Sequence, residues 1–181
     1  MMNATIGRMA LATAILMAAG ASTLAQSGTP SDNARRQPLS AQDKQFLSYA
    51  AEDNQAEIQL CLLAEKKAND LALKAFARLM VNDHVSVESR LAALANGEQT
   101  ELPNGNGEEG DKTLSRMQSI RRADFDEEFL KAQIEDHAND VKKFSDIEQT
   151  TQNEGVKRFA AETLPILQQH ARLAKAVRSS L

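Results

Sequence analysis

Leu47, Ala50, Asn54, Glu57, Cys61 and Ala64 recur at alternating three- and four-residue spacings, which places them on one face of a helix. That helix is expected from about Ser40 to Lys67, with Ser40 as its cap and Asp43 as the acidic third residue of a capping box. A second amphipathic run follows almost at once, from Asn69 or Asp70 to Ala95. Its face carries Leu73, Phe76, Met80, His84, Val87, Leu91 and Leu94, and Asn96 and Gly97 stop it. A third is expected from near Asp124, with Glu127 at its third position, to about Gln149, presenting Leu130, Ile134, His137, Val141 and Phe144. The fourth begins after the TTQN turn of residues 150–153 and shows Val156, Phe159, Thr163, Leu167, His170, Ala174 and Val177. Pro165 removes a backbone donor within it and should bend it. No strand-like alternation competes with this pattern, so the chain reads as all-α.

Residues 97–123 separate the middle pair of helices. Their first part, GEQTELPNGNGEEG, reads as loop, and DKTLSRMQSIRR as a short surface helix. A tight turn needs far fewer residues, whereas this length spans the roughly 40 Å height of a bundle of such helices. The expected architecture is a four-helix bundle over residues 40–181, made of two helical hairpins joined by a long crossover, which makes the second and third long helices parallel.

Composition narrows the function classes. Among 181 residues, 42% are hydrophobic and 25% charged, with no Trp, so the core rests on aliphatic side chains. The net charge of −4 gives no general attraction to nucleic acid or anionic lipid. A single cysteine, Cys61, permits neither an internal disulfide nor a thiolate cluster, and on its inward stripe it reads as a small buried hydrophobe. At the amino terminus, Arg8, the apolar run MALATAILMAA (9–19) and the small residues GASTLA (20–25) have the three-part form of an export signal, residues 1–25, cleaved before Gln26. The apolar run is shorter than a spanning helix needs, so the mature chain is expected not to span a membrane. Residues 26–39, with two prolines and several turn formers, read as a flexible leader. The expected location is the periplasm or cell envelope.

The candidate chemistry follows from height in the bundle. Counted from the first turn near Ala68, Asn54, Glu57, Asp83 and His84 lie within about two helical turns of one another at 1.5 Å per residue. With a crossover, His137 and His170 reach the middle to upper bundle as well, so all three histidines are expected on inward faces of separate helices. Glu57, Asp83, His84, His137 and His170 are therefore the candidate ligand set for a divalent transition metal, since imidazoles and carboxylates from facing helices hold such ions. The competing reading is a buried polar layer whose members satisfy one another. GNGEEGD (105–111) lacks the ligand alternation of a calcium loop, and the adjacent residues of NDHVS (82–86) diverge around a helix and make no hydrolase triad. Walker, dinucleotide-binding and GxSxG motifs are missing, so no organic cofactor is indicated.

The segments DKQFLSYAAEDNQAEIQL (with Asn54 and Glu57), FARLMVNDHVSVESRLAAL (Met80, Asp83, His84), FDEEFLKAQIEDHANDVKKF (His137) and VKRFAAETLPILQQHARLA (Leu164, Pro165, His170) resemble the bacterial family called domain of unknown function 4142. The resemblance covers about Asp43 to Leu173. It implies a ferritin-like helical bundle in an exported protein, often labelled an outer membrane protein, and it supplies no reaction. Polar-faced helices do not make a lipid-spanning β-barrel. Glu-x-x-His pairs of a di-iron bundle are missing, because Ile134 and Val81 stand three before His137 and His84. The expected function is a non-enzymatic binding or structural module of the envelope, with an envelope protein or small ligand as partner and no nucleic acid. The alternative is a metal-binding sensor or redox protein built on the central His/Glu cluster.

Overall fold

The computed structural model describes residues 37–181, so the export signal and most of the leader expected from the sequence lie outside the described residues. Those residues form five helices and no strand: α1 (Ala41–Lys67), α2 (Leu71–Gly97), α3 (Gly107–Ser119), α4 (Arg122–Thr150) and α5 (Glu154–Arg178). None is long and apolar enough to cross a membrane.

Helix ends are tied to one another by side-chain oxygens. Ser40 caps α1 through the backbone N–H of Asp43 at 3.1 Å, and Asp43 returns the bond to the Ser40 N–H at 2.8 Å, the expected capping box. The second Asp43 oxygen accepts from Thr151 Oγ1 at 2.6 Å, which joins the start of α1 to the end of α4. Asp126, just past the first turn of α4, accepts the backbone N–H groups of Asn69 and Asp70 in the α1–α2 turn, at 3.0 and 2.8 Å. Asn153 caps α5 through the Val156 N–H and donates to Glu98 just beyond α2, at 3.2 Å. These bonds place the starts of α2 and α4 at one end and their finishes at the other.

Two boundaries differ from expectation. GEEG belongs to α3, which begins at Gly107, where Glu108 and Glu109 favour a helix start electrostatically. Most of α3 lies at the surface, but it buries Met117 and approaches α1 so closely that a Cβ on Gly110 would come within 2.6 Å of the Ala56 Cβ. Lys67 Nζ donates to the Met117 and Gln118 carbonyls at 2.8 and 2.7 Å, fastening the far end of α3 to the end of α1. Helix α4 starts at Arg122 rather than Asp124. Asp124 is not its cap but a first-turn acid paired with Arg121 at 2.6 Å. Pro165 sits inside α5, which is continuous from Glu154 to Arg178.

The apolar interior is divided in two. One cluster gathers Leu60, Cys61, Leu73, Phe76, Met80, Phe125, Phe129 and Ala174 near the α1–α2 turn. The other gathers Phe46, Leu47, Val87, Leu91, Phe144, Phe159 and Leu167 near the α4–α5 turn. Between them lie the buried polar side chains Asn54, Glu57, His84, Gln133, His137, Asp140 and His170.

Candidate metal centre

His84, His137 and His170 come from three helices because each interrupts its helix's inward stripe at the level between the two apolar clusters. Their ring centroids are 5.9 Å (His84–His137), 5.3 Å (His84–His170) and 5.3 Å (His137–His170) apart. One nitrogen from each ring falls in a set whose members all lie within 4.8 Å of one another. The three side chains are 3%, 1% and 0% exposed, so solvent water does not screen them from one another.

Each ring is held by an acceptor on one nitrogen only. His84 Nδ1–H donates to Asn54 Oδ1 at 2.9 Å, while Asn54 Nδ2 donates to the His84 carbonyl at 3.0 Å, so one amide clamps both ring and backbone. His137 Nδ1–H donates to the Gln133 carbonyl one turn back, at 3.1 Å. His170 Nε2–H donates to Asp83 Oδ2 at 2.9 Å. An acceptor on one nitrogen selects the tautomer that leaves a lone pair on the other. Those other nitrogens, Nε2 of His84, Nε2 of His137 and Nδ1 of His170, have no hydrogen-bond partner.

The electrostatics keep the rings neutral. Burial, reinforced by the neighbouring imidazoles, holds His84 well below the usual histidine range. Burial and His170 bring His137 down to about 3. Burial lowers His170 too, against the opposing pull of Asp83. Three buried imidazoles so arranged could hold a metal ion, and buried polar atoms left without partners are costly unless something occupies the space between them.

Of the five residues singled out from the sequence, the three histidines come together directly. Asp83 lies on the outer nitrogen of His170, where it orients the ring. Glu57 accepts from Gln133 Nε2 at 3.0 Å and stands among a neighbouring group of carboxylates, Asp53, Asp136 and Asp140, with Tyr49 donating its hydroxyl to Asp140. Pattern reading missed Gln133 and Asp140 because it assigned the inward face of α4 to Ile134 and Val141, which are half-buried, while Gln133 and Asp140 are 1% and 0% exposed. The i, i+4, i+7 relation of Gln133, His137 and Asp140 was the available signal. Cys61 is fully buried and its thiol is pushed up by that burial, in keeping with a core residue.

Among the described residues, five helices without a strand enclose a buried polar layer, which defines an all-helical class. Within it, the chain belongs to the family Domain of unknown function (DUF4142), which it matches over residues 28–177. Its fold is similar to that of a DUF305 fragment from Deinococcus radiodurans, with a TM-score of 0.70 and 12% identity over 80% of this chain and 100% of that one. It is also similar to CopM in the Cu(II)-bound form, with a TM-score of 0.60 and 16% identity over 76% of this chain and 96% of that one. No curated protein matches the chain.

Proposed function

We propose that this protein is an exported, non-enzymatic metal-binding module whose four long helices form two hairpins, α1–α2 and α4–α5, joined by a crossover that includes α3. The ion sits between His84, His137 and His170. The observations that carry this reading are that one nitrogen from each of the three buried rings lies within 4.8 Å of the others and that each ring has one nitrogen held by an acceptor and one without a partner. Neutral imidazole suits copper, zinc, nickel and iron, and copper stands highest in the divalent affinity order. The fold likeness to a protein seen in a Cu(II)-bound form favours copper among them. Asn54, the Gln133 carbonyl and Asp83 would act as orienting partners, and Glu57 would stay outside the coordination sphere.

The test is chelator-competition titration of the purified protein with copper and zinc. One ion per chain is expected, with the stoichiometry lost in His84→Ala, His137→Ala and His170→Ala. Failure of the wild-type protein to retain either ion against a weak chelator would refute the site. Export is tested separately by intact-mass analysis of periplasmic material, where a chain beginning at or within a few residues of Gln26 is expected and a full-length cytoplasmic chain would refute it.

A further inference from the structure

A second polar site lies beside the histidines, toward α3. A cavity of about 420 Å³ opens between α1, α3 and α4, and Asp53, Glu57, Gln133 and Asp136 line it, with Glu109 and Arg116 also on its wall. Asp136 stands within hydrogen-bond reach of Glu57, and Asp53 within reach of Asp140. Carboxylates cannot donate to one another, so each contact requires a proton or a cation between its members. Glu57 and Gln133 are 2% and 1% exposed, and Glu57 Oε2 and Gln133 Oε1 have no partner. Asp140 Oδ2, deeper behind the wall, also has none. All three unmatched atoms are oxygens. Lys143, whose Nζ lies 3.4 Å from the centre of the Tyr49 ring, attracts Asp53, Asp136 and Asp140 from the side but is not among the charges acting on Glu57, and Arg116 pairs with Glu128 at 3.5 Å.

We propose that this cavity binds one hard divalent cation, Ca²⁺, Mg²⁺ or Mn²⁺, through the carboxylates of Glu57 and Asp136 and the amide oxygen of Gln133, with water filling the rest of its shell. An all-oxygen set selects hard ions over those that prefer imidazole, which separates this site chemically from the three histidines. One ring nitrogen of His137 lies within 4.8 Å of oxygens of Asp136 and Asp140, while its Nδ1–H is engaged by the Gln133 carbonyl. Burial raises the affinity of Glu57 and Asp136 for protons when no ion is present, and for Glu57 the neighbouring carboxylates add to it, so protons and the cation compete for the same oxygens.

Calorimetric titration of chelator-treated protein at pH 7.5 with each of the three ions should find one site of roughly millimolar affinity or tighter, the range of extracellular calcium modules. Glu57→Gln and Asp136→Asn should weaken it by about 100-fold or more by removing ligand charge, with copper binding retained. Tyr49 is the chain's one tyrosine and adjoins the cluster through Asp140, so Tb³⁺ luminescence excited through it gives a readout that needs no variant. Tyr-sensitised emission displaced by Ca²⁺ supports the site. Absence of emission together with no heat from any of the three ions would overturn it, as would binding undiminished in both variants, and neither result bears on the histidine site.

Discussion

His84 occupies the core on terms set by Asn54, which accepts from its ring and donates to its carbonyl. Asn54→Ala should therefore lower metal affinity by about 10- to 100-fold, the usual cost of losing an orienting partner, as read by chelator competition. In metal-free protein it should also cost about 1–3 kcal/mol in denaturant unfolding, because a buried ring nitrogen loses its acceptor. The titrating groups act in opposite directions. The histidines' folded pKa values lie below the ordinary 6.5, with His137 at about 3, so the stability they contribute is complete only above about pH 7.5 and is lost as pH falls toward 3. Asp140 is raised from 3.8 to about 7, mainly by burial and then by Asp136. Its contribution is complete below about pH 4 and is lost as pH rises through 7. In chelator-treated protein, wild-type stability should therefore fall relative to that of Asp140→Asn as pH rises from about 4 to 7, and the difference between the two should level off above about pH 8, which separates the Asp140 contribution from the histidines'. A difference between wild type and variant that does not change between about pH 4 and 7 would contradict the assignment.

Helix starts show how far local sequence reaches. The Ser40–Asp43 box was readable because both partners lie within one turn, and the TTQN turn because Asn153 caps the helix that follows it. The start of α4 was not, since Arg121 makes no side-chain cap bond and the helix is anchored across the fold by Asp126 on the α1–α2 turn. Asp126→Ala should accordingly destabilise the protein by about 1–3 kcal/mol in urea unfolding, since two backbone N–H groups lose a charged acceptor. A change within error would show that solvent replaces it. The extent of α3 was hidden for a related reason: GEEG is weak helical sequence taken alone, and the close contact between Gly110 and Ala56 belongs to packing.

At the scale of the whole molecule, four amphipathic stripes sufficed to foresee an all-helical chain and the common level of the three histidines. Level along a helix is set by a constant rise per residue counted from the turns, and His84, His137 and His170 do converge. Rotation about each axis has no such ruler. Gln133 and Asp140 consequently face inward where Ile134 and Val141 were expected, and Glu57 joins the carboxylates instead of the imidazoles. The resulting polar layer separates two apolar clusters, so an ion at its centre should stabilise the whole fold and not one helix. Metal at about 100 times its dissociation constant should add about 2.7 kcal/mol to the unfolding free energy, measured as a shift in the denaturation midpoint. X-ray absorption spectroscopy of the copper-loaded protein tests the central claim most directly. One ion per chain whose inner shell contains three imidazole nitrogens is the predicted result, and a shell without them, or the same spectrum from a protein lacking His84, His137 and His170, would contradict it.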